Sequence, residues 1–499
     1  MVFNSYIFLI FFPIVVIIYH FLPQKIRPYW LLIASYYFYM SWNAKYAILI
    51  LFSTAATYVT AILIDGCRKK YADDEKKRKT VSRVLVGAVL TVNLGLLFFF
   101  KYYNFFFSNL SRLFSSFGIE LKVPVFDVIL PVGISFYTFQ ALGYCIDVYR
   151  GEISAERNFF QYALFVSFFP QLVAGPIERS GNLLNQLSNL KPVSYDGLRN
   201  GVFLMLWGFF QKIVIADRIA IFVDAVYGNY SAYPGTYLVL ASILFAFQIY
   251  CDFGGYSNIA KGAAKILGIE LMNNFESPYL STSCGKFWRR WHISLSSWFR
   301  DYVYIPLGGN RKGKARKYLN LMIVFGLSGL WHGANWTYVI WGLLNGIFQI
   351  IGDITKKGRD SLSKHMHINR QSFGTAIAKI LITFCLIDFA WIFFRAENIH
   401  DAAAIIKNMS TVFNPWILFD GGLYQCGLTE KGFKLLGAAM LVLAGVDIAN
   451  IKGIKIRDVI LAQDYWFRAI AFAVSVCVIL VFGIWGPGYE SDAFLYFQF

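Results

Sequence analysis

TAIAKILITFCLIDFAWIFF, residues 375–394, decides the class of fold. Its 20 residues carry two charges, Lys379 and Asp388, in a largely apolar run. At about 1.5 Å per residue such a helix covers roughly 30 Å, the thickness of a bilayer's hydrocarbon core. Ile7 to Ile18, Val84 to Phe100 and Ala469 to Ile484 approach or reach that length. The whole chain of 499 residues agrees, being 57% hydrophobic and 15% charged, with a mean hydropathy of +0.51, outside the soluble balance. The expectation is an all-α polytopic membrane protein whose residues 1–499 form a single membrane domain. Several apolar runs are interrupted by Gly, Pro or a charge. Irregular backbone is tolerated at membrane depth only where protein or trapped water satisfies it, so the breaks suit helices that pack on other helices or line a cavity. The first run has no Lys or Arg before it and no small-x-small cleavage site before Pro23, and so reads as a retained helix rather than a signal peptide.

Lys and Arg number 46 against 29 Asp and Glu, a net charge of +17. The basic residues cluster at 68–83, 286–290, 311–317, 356–370 and 452–457, in short connections between apolar runs. That is the pattern of cytoplasmic loops under the positive-inside rule, so the excess charge reports topology and not a nucleic-acid partner. The loops place the N-terminus outside and give alternating spans near 3–22, 29–42, 46–64, 83–100 and 125–149. Between Arg150 and the basic stretch at 286–317 the crossings must be even in number, yet three apolar stretches lie there, near 158–177, 200–229 and 236–252. SFFPQLVAGPIERS, 167–180, is the candidate for a broken or re-entrant segment, because Pro170, Gly175 and Pro176 each interrupt a helix. Spans near 318–331, 337–352, 378–394, 433–450 and 466–486 follow, with an external amphipathic stretch at 395–431 and an external C-terminus. None of the seven cysteines makes a C-x-x-C pair, and Cys145, Cys251, Cys385 and Cys477 read as buried free thiols.

Two segments carry titratable groups where lipid-facing helices do not. In LSGLWHGANWTYVIWG, 327–342, His332 sits in an apolar hairpin whose spans are about 14 residues each, roughly 21 Å. Its turn is therefore expected in a depression below the outer surface. In FWRRWHISLSSWFRDYVYIPLGGN, 287–310, Arg289, Arg290, His292, Arg300 and Asp301 alternate with Trp288, Trp291, Trp298 and Phe299. The spacing suits an interfacial or re-entrant helix with its basic side toward water or an anion and its Trp residues at headgroup depth. Arg289, Arg290 and the 311–317 cluster would match an anion with several phosphates. Imidazole titrates near neutrality, which makes His332 and His292 candidate acid–base groups. A histidine satisfied by a backbone carbonyl and a lipid-headgroup anchor are the plain alternatives. No i, i+4 His pair, H-E-x-x-H or Cys/His cluster is present, which argues against a protein-bound metal, and there is no G-x-S-x-G or Walker A motif. The glycines of DFGGYSNIAKGAAKILGIE, 252–270, read as helix-packing positions. Asp127, Asp147, Asp252 and Asp388 border apolar runs and fit a proton pathway, or caps and ion pairs with Arg150 and Arg395.

FFPQLVAGPIERSGNLLNQL (168–187), the 287–313 block, LSGLWHGANWTYVIWG, DFAWIFFRAE (388–397) and FLYFQF (494–499) together resemble the membrane-bound O-acyltransferase (MBOAT) family. Within it the chain is similar to the bacterial branch that includes the alginate O-acetylation membrane protein and, more distantly, the teichoic acid D-alanyl transferase. The resemblance implies a ring of about 11–13 transmembrane or re-entrant helices around a central tunnel in a bacterial plasma membrane. It implies that His332 is the essential histidine and His292 the second one. Arg289, Arg290, Trp291, Trp331 and Asn335 would line the tunnel or bind the donor. Acetyl-CoA would be the acyl donor, with no permanently bound cofactor and no metal. The acceptor would be a cell-surface polysaccharide, reached directly or through an SGNH-type acetyltransferase partner, and membrane lipids would surround the chain. A transporter or flippase for an anionic or lipid-linked substrate is the competing reading, and an export scaffold the third.

Overall fold

The computed structural model describes residues 1–121, 123–126, 130–173, 175–190 and 192–485. Among these residues the chain is helical, with short 3-10 and π turns and no strand. Seven described helices are long and apolar enough to cross a membrane, and the protein is an all-α multi-pass membrane protein. The described residues form two compact units, 1–202 with 260–272, and 203–259 with 273–485.

The first unit holds α1 (Tyr6–Phe21), α2 (Arg27–Met40), α3 (Ala47–Lys70), α4 (Glu75–Leu97), α5 (Tyr103–Ser115), α6 (Ile134–Arg150), α7 (Phe159–Ser167), α8 (Phe169–Leu172), α9 (Ser180–Ser188) and the start of α10 (Tyr195–Phe209). A five-residue π turn joins α4 to α5, so the span expected at 83–100 continues as helix to Ser115. Polar pairs tie these helices together. Ser53 Oγ donates to Asn93 Oδ1 at 2.5 Å, Tyr162 Oη to Thr57 Oγ1 at 2.8 Å, and Gln171 Nε2 to Gln140 Oε1 at 2.9 Å. In a lipid-immersed bundle, where apolar contacts do not favour protein over lipid, such bonds specify the pairing. The break expected at 167–180 is present. α7 stops at Ser167, α8 is a single turn, and regular helix resumes only at Ser180. Protein groups satisfy the irregular stretch: buried Glu178 accepts from Met272 N at 2.6 Å and from Asn182 Nδ2 at 2.7 Å.

The second unit contains a π turn, Phe210–Ala216, then α11 (Asp217–Gly228), most of α12 (Thr236–Ile266), α13 (Cys284–Arg290), α14 (Ile293–Phe299), α15 (Gly313–His332), α16 (Trp336–Ile354), α17 (Lys356–His365), α18 (Phe373–Arg395), α19 (Ile399–Thr411), α20 (Glu430–Ile451), α21 (Ile456–Leu461) and α22 (Tyr465–Phe482). α12 runs 14 residues beyond the expected end at 252, because Gly255, where an added Cβ would meet the Gly208 carbonyl, serves helix packing and does not stop the helix. The basic stretch at 311–317 is not all loop. α15 begins at Gly313, and Lys317 in its second turn pairs with Asp353 of α16 at 2.8 Å.

α15 and α16 form a hairpin held at backbone distance. A Cβ on Gly342 would overlap the Phe325 carbonyl, and one on Gly329 would overlap the Tyr338 carbonyl. Small residues let helices approach until dispersion contacts are dense, which is the main attraction available inside a membrane.

Three expectations change. Cys145 and Cys251 are buried, but Cys385 and Cys477 are exposed on α18 and α22, because an apolar run can face lipid as well as a protein core. Trp288, Trp291 and Trp298 are buried in protein, not placed at a headgroup surface. Arg395 pairs with Asp224 at 2.6 Å, while Asp388 accepts from Ser242 Oγ at 2.9 Å. Asp147 accepts from Ser180 Oγ at 2.8 Å. Asp127 and the C-terminal 486–499, with FLYFQF, lie outside the described residues.

The hairpin contact gives a test. Gly342→Val should abolish accumulation of monodisperse protein in detergent, whereas Gly352→Ala, with nothing within 4 Å of an added Cβ, should leave it at wild-type level. Size-exclusion profiles of the two variants check this, and equal profiles would remove the close approach as a requirement.

Candidate active site

His332 is the last residue of α15. Gly333 continues in extended backbone, and Asn335 caps α16 by accepting from Thr337 N at 3.1 Å. Gly333 has a steric reason to be glycine, since a Cβ there would run into the Tyr338 ring. The His332 ring folds back on its own helix, with Nδ1 2.6 Å from the Ser328 carbonyl oxygen. A carbonyl oxygen only accepts, so Nδ1 carries the proton and the lone pair resides on Nε2. The plain reading, a histidine satisfied by backbone, is thus met at one nitrogen, and that same bond fixes the tautomer a general base needs.

Aromatic rings enclose the imidazole. Trp341 lies 4.8 Å from it, Trp331 5.0 Å and Phe394 5.6 Å between ring centroids. Trp341 stacks on Trp391 at 5.4 Å, Trp391 Nε1 donates to Tyr279 Oη at 3.1 Å, and Tyr279 Oη donates to the Ala246 carbonyl at 2.7 Å. The Trp391 indole and the Tyr279 phenol thereby keep their polar atoms bonded while their rings pack, as buried aromatics require.

His292 faces His332 with ring centroids 6.4 Å apart and planes at 83°. The two rings are 1% and 4% exposed respectively. His292 lies between α13 and α14 with φ at 43°, in the left-handed region, a conformation that costs a non-glycine residue ~1–3 kcal/mol and persists only when its surroundings over-determine it. They do so through Asn274. Ile293 N donates to the Asn274 carbonyl at 3.0 Å, Ser294 N and Oγ donate to Asn274 Oδ1 at 3.3 and 2.6 Å, and Asn274 Nδ2 donates to Ser257 Oγ at 3.3 Å. A second left-handed residue, Ser277 at φ 46°, donates to Asp447 Oδ1 at 2.9 Å, and Tyr250 Oη donates to the same oxygen at 3.0 Å.

The fold therefore brings His332, His292 and Trp331 together, with the Trp331 ring 6.0 Å from that of His292. Trp291 belongs to the wall behind them, stacked on Phe287 at 5.3 Å and 5.1 Å from Trp391. Arg289 is exposed and Arg290 half-buried, whereas both imidazoles are buried. Asn335 Nδ2 donates to the Glu397 carbonyl at 2.6 Å, latching the turn after His332 to the chain that follows α18. Asn274, Ser257, Phe253 and Asp447 are not marked by the sequence because their roles depend on partners 17 to 197 residues away. The Asn273–Asn274 pair before Pro278 signals a turn and nothing about which backbone it clamps. Among the described residues no group of three His, Cys, Asp or Glu side chains could hold a metal ion. A cavity of about 310 Å³ lies elsewhere, in the first unit, lined by Gln24, Lys25, Tyr29, Asn158 and Gln161.

A multi-pass helical membrane protein with two buried histidines at the breaks of its helices is the kind of scaffold that group transfer within a membrane uses. The sequence model of the membrane-bound O-acyltransferase family, MBOAT, matches residues 152–394, a stretch that contains both histidines. The chain is 38% identical over 447 residues to the probable alginate O-acetylase AlgI of Pseudomonas putida, covering 89% of this chain and 87% of that protein. It is 35% identical over 439 residues to the peptidoglycan O-acetyltransferase of Helicobacter pylori, covering 82% and 76%. To the teichoic acid D-alanyltransferase of Bacillus subtilis it is 28% identical over 295 residues, covering 56% and 71%. The protein belongs to the membrane-bound O-acyltransferase family and is an acyltransferase, and the transporter and scaffold readings give way to that assignment.

Asn335 separates two structural roles. Asn335→Asp keeps the oxygen that caps α16 but loses the donor to Glu397, whereas Asn335→Ala loses both, the cap alone being worth ~1 kcal/mol. Apparent melting temperatures in detergent should fall in the order wild type, Asp, Ala, and identical values for Asp and Ala would discount the cap.

Proposed function

We propose that this protein passes an acetyl group from cytoplasmic acetyl-CoA, across the plasma membrane, to a hydroxyl of a cell-surface polysaccharide, with His332 as the catalytic base. The observation that carries the reading is the His332–Ser328 bond, which commits Nδ1 as a donor and leaves the lone pair on Nε2 within a buried, aromatic chamber beside His292. The relatives named for O-acetylation of alginate and of peptidoglycan support acetyl as the group and a glycan as its destination.

In this reaction Nε2 of His332 takes the acceptor's hydroxyl proton while the oxygen attacks the thioester carbonyl. The C–S bond then breaks, the thiolate leaves and gains a proton, and an ester remains. His292 positions the thioester or relays that proton. Arg289 and Arg290, with Lys312 and Lys314 of the neighbouring basic stretch, supply exposed or half-exposed cations for the donor's phosphates. Trp331 and Trp291 wall the acyl path. Both imidazoles are so buried that donor and acceptor must reach them by a passage through the protein, the tunnel of the proposal. The N-terminus lies outside, and an SGNH-type partner on the outer face receives the acetyl group where the polysaccharide does not enter directly. A route through an acyl-histidine is the alternative chemistry.

His332→Ala and His332→Gln, reconstituted in liposomes with radiolabelled acetyl-CoA and the outer-face acceptor, should transfer acetyl at least ~100-fold more slowly, with membrane abundance and melting temperature close to wild type. Transfer at the wild-type rate by either variant would remove His332 from the chemistry.

A further inference from the structure

Helix α12 is gripped on two adjacent faces, both within the second unit. On the first face it meets the segment around the π turn at backbone distance. A Cβ on Gly208 would stand 2.5 Å from the Gly255 carbonyl oxygen, and one on Gly255 would stand 2.7 Å from the Gly208 carbonyl oxygen. Asn258 Nδ2 donates to Gln211 Oε1 at 2.7 Å. Lys212, 3% exposed, places its ammonium 2.5 Å from Asp252 Oδ1 and 2.8 Å from Asp217 Oδ1. The π turn makes this double reach possible. Asp217 N donates to the Lys212 carbonyl, a step of five residues in place of four, which brings the two side chains to the same side of the helix.

The second face carries Tyr250, Phe253 and Ser257, spaced three and four residues apart and so aligned along the helix. Tyr250 holds Asp447, the Phe253 ring meets that of His292 edge-on at 4.7 Å, and Ser257 holds Asn274, the clamp on the left-handed turn at His292. Asp252 and Phe253 are consecutive, so any rotation or shift of α12 that moves one moves the other.

We propose that Lys212 is a positioning residue for His292: through Asp252 it fixes the rotation and height of α12, which sets Phe253 and Ser257 against the loop that bears the imidazole. A contact between two glycines is smooth and allows a helix to slide or turn against its neighbour. A charge-assisted bond in a low-dielectric interior does not, because a one-residue slip would separate buried charges from their partners. Buried ion pairs contribute little net stability, and specifying register is the best-attested reason for keeping them. The effect on turnover rests on the proposed role of His292 in acyl transfer. The geometric claim does not.

The test reads both. Asp252→Asn leaves the Lys212–Asp217 pair intact, and Lys212→Arg keeps the charge with a different shape. The full-length protein in liposomes is treated with diethyl pyrocarbonate, and modification of His292 and His332 is quantified separately by mass spectrometry, alongside acetyl transfer from acetyl-CoA. Asp252→Asn should raise the His292 to His332 modification ratio several-fold and lower kcat at least ~10-fold with KM for acetyl-CoA within ~3-fold, and Lys212→Arg should shift the same ratio less. A general loss of packing would raise both histidines together, so an unchanged ratio in whichever variants accumulate overturns the proposal. If His332→Ala retains activity, the acyl-transfer reading fails, but the modification ratio still decides the positioning claim.

Discussion

The contact of α15 with α16 through Gly329 and Gly342 is the constraint on which the candidate site depends. Side chains at those positions would hold the helices apart, and the His332 and Trp341 rings, now 4.8 Å apart, would lose their contact. Inside a membrane the hydrophobic effect does not push helix against helix, so proximity has to come from surface shape and from polar bonds. Glycine provides the shape here. The polar bonds are those of Asn345, which accepts from Trp288 Nε1 at 3.1 Å and donates to the Trp341 carbonyl at 2.8 Å, tying α13 to α16.

Around this hairpin the protein fixes its strained backbone with short polar side chains. His292 and Ser277 both adopt left-handed conformations, and each is pinned by a buried partner from a distant part of the chain, Asn274 with Ser257 for the first and Asp447 for the second. The consequence is a histidine presented from a loop yet held as firmly as one on a helix. His332 is held differently, by a bond to its own helix, so one imidazole depends on secondary structure and the other on a network assembled from several elements.

Much of this was legible in the sequence, for identifiable reasons. The 20-residue apolar run at 375–394 became a helix from Phe373 to Arg395, because length and hydropathy suffice to set a membrane-crossing segment. The breaks at 167–180 fell where Pro170, Gly175 and Pro176 put them, since those residues act on local backbone. The three Trp residues of the 287–310 block were misplaced at a lipid interface because an aromatic, amphipathic stretch looks alike whether its rings face headgroups or protein. Cys385 and Cys477 were misplaced for the converse reason, since apolar neighbours do not say whether lipid or protein covers a side chain.

By itself the sequence determined that the chain crosses a membrane many times as helices, that the helix breaks within 167–180, and that His332 and His292 occupy the two segments least suited to lipid. These are properties of composition and of local backbone chemistry. That the two imidazoles face each other 6.4 Å apart, that Nε2 of His332 holds the lone pair, and that Asn274 and Asp447 pin the loop beside them was decided only by tertiary structure. Each depends on the direction in which a side chain points from one helix toward another, and no periodicity along a single segment encodes which residue of a distant segment it will meet.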